Sequence, residues 1–353
     1  MADPIALWVV PVADWGGVAR HVCDAAKTGI PGWRVIVLCP EGALAERLRE
    51  QGSAVLTDQF GTQAGLAASI KTLKRTVGSL RPAVVHTHLA YADLVGALAL
   101  PPWRSRRPRL FSTEHGIAPD DRVYHGTRAK SALMASAHRL RCRTFDGLIA
   151  VSASTRQVMM DKWRPRTPIA VIHNAVDLPV KGPRRAPGLR LLSLSRLAPE
   201  KGLHSVLDAF ALIHEEHPEA RLTLAGTGPL ANELRQHARS LGLEDAASFP
   251  GFVDPVRVLG DHDVLVQLSV WENCSYTILD ALASGLGVVA TPVGGNPELL
   301  PARCLVQADD PVSVAAATVA QGTDTSVRPG LPESSTTLAG MCRRIASLYE
   351  STP

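Results

Sequence analysis

Short apolar runs rich in β-branched residues alternate with segments of helical period along most of the chain. The first seven runs lie at 6–10, 34–38, 54–57, 83–87, 110–113, 148–151 and 169–173. Continuous apolar runs are typical of strands buried on both faces, and the helical segments between them can connect parallel neighbours. The pattern predicts an α/β protein whose first half forms one doubly wound sheet.

The pattern stops at a short polar stretch and then begins again. Residues 181–188 contain two prolines, two glycines and three basic residues, which is typical of an exposed linker. Further strand-like runs follow at 189–194, 221–225, 247–249, 264–269, 287–290 and 304–306. We therefore predict an N-terminal domain over 1–180, a second domain over 189–335, and a cleft between them. A final helix in 336–353 has apolar residues at helical spacing and should pack on one of the two domains.

The composition agrees with a globular protein of two domains. The 353 residues exceed one ordinary core at roughly 150 residues per domain, and 46% of them are hydrophobic. The six cysteines form no Cys-x-x-Cys pair, which argues against a zinc knuckle or a disulfide framework and favours a reducing compartment. The apolar run near the N-terminus is short and contains Pro11, so it predicts a strand rather than a signal peptide or a membrane span.

Positive charge is concentrated in one part of the first domain. Residues 101–143 hold ten basic and three acidic residues, a local excess of seven, while the whole chain carries a formal charge of +4. Such a stretch is either solvated surface or a face that meets anionic lipid headgroups. Nucleic acid is not predicted as a partner, because aromatic residues are only 5% of the chain and none interleave with this stretch in a stacking pattern.

The most informative motif lies in the second domain, between a predicted strand and a predicted helix over 275–283. Glu272 lies in the loop entering that helix, where open α/β sheets place ligands. Asn273 or Ser275 can cap the helix, and its start favours an anion such as phosphate. Asp280 lies eight residues after Glu272, so one ligand could contact both carboxylates. Two solvated surface residues would be the simpler interpretation of this pair taken alone.

A pair of cations follows an earlier strand of the same domain. Arg196 and Lys201 bracket a turn, and together they could neutralise a diphosphate without a metal ion. Taken singly, each would be an ordinary solvated residue. Glycine turns at 225–229 and 291–298 could let the backbone approach a ligand, although tight turns are common.

Taken in order, these motifs resemble those of family 4 of the GT-B glycosyltransferases. The series is Ser-Arg-Leu-x-Pro-Glu-Lys-Gly, Ala-Gly-Thr-Gly-Pro, Phe-Pro-Gly-Phe-Val and Glu-x7-Asp followed by Gly-Gly-Asn-x-Glu, and it covers the whole second domain. The resemblance implies two Rossmann-like domains facing a cleft, with a C-terminal helix that can pack back on the first. It also implies a retaining, metal-independent enzyme without a cofactor. Such an enzyme transfers sugar from a nucleotide-sugar donor to a glycan, a lipid-linked acceptor or a small molecule.

The resemblance also assigns roles to residues of the second domain. Glu272 would contact hydroxyls of the donor sugar, Arg196 and Lys201 the diphosphate, and Asp280 the ribose. The family ordinarily has Glu as the second acidic residue of this motif, where this chain has Asp280. Because the Asp280 side chain is one methylene shorter, its ribose contact can differ from the family's. The remaining predicted donor-binding residues of this domain are Gly226, Gly251, Phe252, Val253, Asn273, Cys274, Ser275 and Tyr276.

In the first domain, the resemblance points to a glycine turn and a histidine. Gly16 and Gly17 open the first helix and would face the donor, or else they form a plain turn. His115 would reach the transferred sugar and stabilise charge with its backbone or ring, unless it is a structural histidine. His86 and His88 form a His-x-His pair, but no third and fourth ligand follow at suitable spacing, so we predict no metal.

Two other functions remain open from the sequence. Nucleotide-sugar 2-epimerases share the fold, and a non-catalytic member would keep the binding site only. A dehydrogenase is not favoured, because no Gly-x-Gly-x-x-Gly follows the first strand. We expect a cytoplasmic enzyme of the kind that builds cell-envelope polysaccharides, with peripheral contact at the inner membrane face as an added alternative.

Overall fold

The computed structural model describes residues 3–103, 107–117, 138–177, 186–332 and 337–351. The chain divides into two compact units, which we call unit 1 (Met1–Asn174 with Thr336–Pro353) and unit 2 (Ala175–Ser335). Much of the basic stretch 101–143 and of the predicted linker 181–188 lies outside the described residues.

Unit 1 contains a sheet of seven parallel strands in the order β3-β2-β1-β4-β5-β6-β7. The strands are β1 Ile5–Val9, β2 Arg34–Cys39, β3 Val55–Thr57, β4 Val84–His88, β5 Arg109–Glu114, β6 Gly147–Ala150 and β7 Ile169–Val171. Its helices include Gly17–Thr28, Ala43–Glu50, Leu66–Leu80, Ala90–Ala99, Ala153–Trp163 and Leu338–Ser351. All seven predicted strands are confirmed. The strand order reverses between β1 and β4, and such a reversal marks the ligand-binding edge of an open sheet.

Unit 2 repeats this plan with five parallel strands in the order β10-β9-β8-β11-β12. The strands are β8 Arg190–Leu194, β9 Arg221–Ala225, β10 Ala247–Gly251, β11 Val264–Gln267 and β12 Gly287–Ala290. The helices are Leu203–Glu216, Ala231–Ser240, Pro255–Gly260, Tyr276–Ala283, Asn296–Leu299 and Pro311–Thr323, with 3-10 turns at Pro199–Lys201, Ala302–Cys304 and Thr325–Val327. The predicted α/β class with two doubly wound sheets is confirmed. The order reverses between β8 and β11, so the loops after these strands are the expected ligand loops.

One strand prediction is wrong. The run 304–306 does not form a strand, because Ala302–Cys304 is a 3-10 turn and only Leu305 bridges to Ala290. Asp310 then caps the next helix by accepting a hydrogen bond from the Ser313 backbone N–H at 3.0 Å. The chain therefore runs beside β12 for too few residues to extend the sheet.

The C-terminal helix packs within unit 1, although it follows unit 2 in the sequence. Met341, Ile345 and Tyr349 are fully buried or nearly so. The Tyr349 hydroxyl accepts a hydrogen bond from Trp8 Nε1 at 3.0 Å and lies 2.5 Å from His86 Nδ1. The sequence left open which domain this helix joins, and these contacts assign it to the first sheet. Within the described residues, no helix has the length and apolar character needed to cross a membrane.

Candidate functional site

The loops that follow the strands of unit 2 are joined to one another at the carboxyl edge of the sheet. The Gly226 N–H donates to Gly251 O at 2.8 Å, which joins the loops after β9 and β10. The Val270 N–H donates to Glu200 O at 2.8 Å, which joins the loops after β8 and β11. The predicted residues Arg196, Lys201, Gly226, Gly251 and Glu272 therefore share one edge of one sheet.

Two glycines allow these loops to approach so closely. A Cβ built on Gly294 would lie 1.7 Å from Glu272 O, and one built on Gly226 would lie 1.9 Å from Ser195 O. Both glycines also have positive φ angles, +56° and +139°, which other residues rarely adopt. The two glycine turns that the sequence analysis left ambiguous therefore hold the loops that carry Glu272 and Arg196.

Lys201 and Glu272 form an ion pair, although they lie 71 positions apart in the sequence. Lys201 Nζ donates to Glu272 Oε1 at 2.5 Å, and the Ser269 hydroxyl donates to the same oxygen at 2.9 Å. The two side chains are 19% and 14% exposed, so they are shielded without being sealed from solvent. Thr291 Oγ1 in turn donates to Ser269 O at 2.6 Å. Both charges were predicted as candidates from the sequence, but their pairing was not, because nothing local in the sequence indicates a partner so far away.

Arg196 pairs with a different carboxylate. Its side chain is 73% exposed and donates to Glu200 at 2.5 Å, across the 3-10 turn Pro199–Lys201. The two predicted diphosphate ligands therefore each have a carboxylate partner already. An exposed pair of this kind contributes little to stability, so the guanidinium can exchange partners readily.

The helix Tyr276–Ala283 begins as predicted, with Ser275 rather than Asn273 as its cap. Ser275 Oγ accepts from the Ile278 N–H at 3.3 Å and donates to Gln267 Oε1 at 3.0 Å. Asn273, Cys274, Ser275 and Tyr276 are each only 8% exposed, so the helix start is tightly packed. Asp280 lies further along this helix and is partly buried.

The predicted base-pocket segment contains an exposed aromatic ring. Phe252 is 67% exposed, Val253 is partly buried, and Gly251 before them has a φ of +80°. No described atom lies within 4 Å of a Cβ built on Gly251, so the space beside its backbone is open. The Phe252 ring and the backbone at Gly251 are therefore open to solvent.

Unit 1 presents its predicted residues at the carboxyl edge of its own sheet. Gly16 and Gly17 are exposed at the start of the helix Gly17–Thr28, and no described atom lies within 4 Å of a Cβ built on Gly16. Gly16 is extended, with a φ of −173°, so its backbone does not itself require glycine. His115 follows β5 and is partly buried.

His115 belongs to a cluster that the sequence analysis found only in part. His88 Nδ1 lies 2.9 Å from His115 Nε2, and the His21 and His115 ring centroids are 4.8 Å apart. One ring nitrogen from each of the three histidines lies within 4.8 Å of the others. His21 was not predicted to belong to this cluster, because its position on the buried face of a helix predicts only core packing. Two nitrogens on one tetrahedral zinc lie about 3.3 Å apart, from bond lengths of about 2.0 Å. The separation of 2.9 Å is that of a hydrogen bond.

Burial keeps these rings neutral. It lowers the pKa of His21 to about 4 and the pKa of His86 to about 3. Burial and the neighbouring rings also lower the pKa of His88 and of His115 well below the usual value of 6.5. At neutral pH each ring therefore offers one N–H donor and one bare nitrogen acceptor.

A buried network of charged side chains includes Glu114, the residue directly before His115. This network was not predicted from the sequence. Arg141 donates to Glu114 at 2.9 Å and also contacts Asp93, which accepts from Ser112 Oγ at 2.7 Å. Burial raises the pKa of Glu114 to about 7, and it raises the pKa of Asp93 as well. The network ties the end of β5 to the helix Ala90–Ala99 and so fixes the chain at His115.

Comparison with known proteins agrees with these features. Residues 15–179 match the model "Glycosyltransferase Family 4", and residues 188–323 match "Glycosyl transferases group 1". The glycogen synthase of Mycobacterium tuberculosis is 27% identical, over 82% of this chain and 77% of its own length. One component of the phosphatidylinositol N-acetylglucosaminyltransferase of Arabidopsis thaliana is 26% identical, over 88% and 72%.

The fold has close counterparts among solved structures. Anabaena HepE, crystallised in complex with UDP and glucose, matches with a TM-score of 0.77 at 22% identity, over 98% of this chain and 99% of that chain. The two family matches together span most of the sequence, and the two-sheet architecture agrees with them. The chain therefore belongs to glycosyltransferase family 4 and has the GT-B fold.

Proposed function

We propose that this protein is a retaining glycosyltransferase that moves a sugar from a nucleotide-sugar donor to an acceptor hydroxyl without a metal ion. Family membership supports transfer, and the names of its relatives are those of sugar-transferring enzymes. The observation that carries the proposal is the Lys201–Glu272 pair, held at the carboxyl edge of the unit 2 sheet by glycine-lined loops.

Lys201 and Glu272 can contact the diphosphate and the sugar of the donor at the same time. An ammonium has three N–H donors, and within the described residues Lys201 uses one of them, on Glu272. The remaining donors are available to a diphosphate. Both hydrogen bonds to Glu272 go to Oε1, so in the described structure Oε2 stays available to hydroxyls of the sugar. Asp280 is the proposed ribose contact, and Gly251, Phe252 and Val253 are the proposed base contacts.

The chemistry requires stabilisation of the leaving group. The bond from the anomeric carbon to the diphosphate oxygen breaks, and the acceptor oxygen bonds to the same carbon on the same face. The acceptor proton passes to an oxygen of the leaving diphosphate, so no separate protein base is needed. Lys201, Arg196 and the start of the helix Tyr276–Ala283 oppose the negative charge that develops. Glu272 contacts the donor and is not a glycosidase acid.

Unit 1 is proposed to bind the acceptor and to supply His115 to the transferred sugar. The neutral ring of His115 can form hydrogen bonds without bringing a charge of its own. The acceptor class is open among a glycan, a lipid-linked molecule and a small molecule. The Arabidopsis relative named for phosphatidylinositol supports a lipid-linked acceptor. Flotation with anionic liposomes tests this alternative.

Paired alanine variants test the donor site. Lys201→Ala and Glu272→Ala should each abolish turnover, because each removes a donor contact. Both should leave the fold intact, because the partner charge that remains can reach solvent. Lys71→Ala and Glu219→Ala are matched controls, since both side chains are exposed, Lys71 in unit 1 and Glu219 just before β9, at the opposite edge of the unit 2 sheet. Near-normal transfer by either site variant would overturn the assignment.

Donor identity can be found by thermal shift. A bound ligand raises the apparent melting temperature according to its saturation. UDP, GDP, ADP and dTDP sugars should be compared, with UDP-glucose first because the HepE structure contains UDP and glucose.

Asp280→Ala should weaken nucleotide binding, and Asp280→Glu should preserve it. Unchanged affinity in Asp280→Ala, measured by calorimetry, would contradict the ribose role.

Two further measurements separate transfer from its alternatives. Added chelator should leave the rate unchanged, and strong inhibition would contradict the metal-free mechanism. Conversion of the nucleotide sugar to its epimer without any acceptor would show an epimerase instead.

A further inference from the structure

The pairing of His88 with His115 determines where the protons of these two rings lie. His88 is fully buried at the end of β4, and its Nδ1 lies 2.9 Å from His115 Nε2. Both rings are neutral, so each carries one proton on one of its two nitrogens. A single N–H must lie between the two facing nitrogens, and it belongs either to His88 or to His115.

The other nitrogen of His88 decides between these arrangements. His88 Nε2 is buried and forms no hydrogen bond within the part of the chain that the structure describes. Its ring neighbours are aromatic, with Trp8 and His86 centroids 4.7 and 4.6 Å away. If His115 supplied the shared proton, the proton of His88 would be on this isolated Nε2. A buried N–H without a partner costs about 1–3 kcal/mol.

The alternative arrangement leaves no buried donor unpaired on His88. His88 carries its proton on Nδ1 and donates it to His115 Nε2, and the isolated Nε2 of His88 is then a bare acceptor. Orphaned buried N–H groups are rarer in proteins than acceptors that lack a full set of partners. The shared proton therefore belongs to His88, and His115 must carry its own proton on Nδ1.

We propose that His88 is a positioning residue that fixes His115 as a hydrogen-bond donor through Nδ1. His115 then cannot act as a base at Nε2, because that nitrogen is occupied by the proton of His88. It donates to a hydroxyl oxygen of the transferred sugar instead, and as a neutral donor it orients the sugar without placing a positive charge beside the anomeric carbon, which becomes positive as the glycosidic bond breaks. This consequence rests on the proposed function, whereas the pairing itself does not.

The strained backbone next to His88 is further evidence that the His88 ring is held in one position. Leu89 has φ +73° and ψ +150°, close to a region that is nearly restricted to glycine. Strained residues of this kind occur preferentially at functional sites, where the surrounding structure holds them. Here β4 is paired on both sides, and the Asp93 N–H donates to Leu89 O at 3.1 Å.

The proton position can be measured directly in the wild-type protein. In protein labelled with ¹⁵N-histidine, two-bond ¹H–¹⁵N spectra distinguish a protonated ring nitrogen from a bare one. The His115 signals are those that disappear in His115→Phe. Protonated Nδ1 and bare Nε2 on His115 are expected, and a protonated Nε2 would overturn the proposal.

Variants of His88 test the consequence for transfer. His88→Asn places an amide N–H near the position of Nδ1, whereas His88→Phe keeps the ring shape and donates nothing. The phenylalanine variant should lower kcat about tenfold, the worth of one hydrogen bond, with a small change in KM. The asparagine variant should restore most of kcat. His237→Asn is the matched control, since its ring pairs with Asp208 in unit 2.

The outcomes separate positioning from a structural role. Equal loss of kcat in the Asn and Phe variants, in parallel with a lowered melting temperature, would show that His88 only supports the fold. Wild-type turnover in His115→Phe would overturn the role of His115 in transfer, while the wild-type spectrum still tests the pairing by itself.

Discussion

Leu89 has a strained backbone conformation next to the histidine cluster. Its positive φ places its Cβ against its own backbone, directly after His88 and before the helix Ala90–Ala99. Glycine has no Cβ and adopts this conformation without strain. The strain is worth about 1–3 kcal/mol in such regions, so it is large enough to detect in a stability measurement.

A pair of variants isolates this strain. Leu89→Ala and Leu89→Gly both remove the leucine side chain, but only alanine keeps a Cβ. The glycine variant should therefore be more stable than the alanine variant by about 1 kcal/mol in urea unfolding. At exposed Leu98, inside the following helix, the order should be the reverse, with glycine less stable by about 1 kcal/mol. Glycine less stable than alanine at position 89 would mean that the backbone there is unstrained.

At this scale the sequence pointed to candidate residues for the chemistry but did not predict which residues they contact. Glu272 and Lys201 were identified as candidates because each follows a predicted strand, and His115 because its motif resembles that of the family 4 glycosyltransferases. Their partners were not recognised, since a hydrogen bond between distant loops depends on how the strands are ordered in the sheet. Arg141 is the clearest example, because no local feature distinguishes it from other arginines of the basic stretch.

Among the elements, the C-terminal helix makes the most consequential single contact. The Trp8 indole N–H donates to the Tyr349 hydroxyl, so the hydroxyl proton is directed at His86 Nδ1. His86 then carries its proton on Nε2, where it can donate to Thr113 Oγ1 at 2.8 Å. The ring of His86 also stacks on His88, with centroids 4.6 Å apart. The helix thus supports the histidine cluster through His86.

Removal of this hydroxyl should be costly. Tyr349→Phe leaves the buried Trp8 N–H without its acceptor, and an orphaned donor costs about 1–3 kcal/mol. We expect a lower melting temperature for this variant. Tyr91→Phe is the control, because its hydroxyl contacts Ser69 at a partly buried position. A smaller loss in Tyr349→Phe than in Tyr91→Phe would contradict the importance of the contact.

The elements themselves were largely predictable. Most of the parallel strands are buried on both faces, so they appear in the sequence as apolar runs with readable ends. The exception, 304–306, is apolar for a different reason: Cys304 is fully buried from within a turn. An apolar run in the sequence indicates that the segment is buried. Burial alone does not distinguish a strand from a buried turn.

At the scale of the whole molecule, the buried histidines make stability depend on pH. The pKa values of His21, about 4, and His86, about 3, lie below the 6.5 expected in the unfolded chain. Between these values the unfolded state binds more protons, so stability falls as the pH falls below about 6.5. Glu114 and Asp93 have the opposite sign, because burial raises the pKa of Glu114 to about 7 and also raises the pKa of Asp93 above its usual value.

The four histidines of lowered pKa, His21, His86, His88 and His115, outnumber these two carboxyls, so the net effect should be loss of stability in acid. Each histidine contributes up to about 1.4 kcal/mol per pH unit within its window. The urea midpoint should therefore fall between pH of about 7 and about 5. His21→Asn should reduce the fall, because it removes one group that binds protons on unfolding. A midpoint that is independent of pH would mean that these rings titrate normally in the folded protein.

The position of the C-terminal helix has a consequence for synthesis of the protein on the ribosome. Unit 1 needs Tyr349, but all of unit 2 is translated between β7 and this helix. During that interval the indole of Trp8 and the ring of His86 have been made, and their partner has not. A nascent first domain is therefore incomplete while the second domain emerges, and chaperones have a longer time in which to bind it than the length of either domain would suggest.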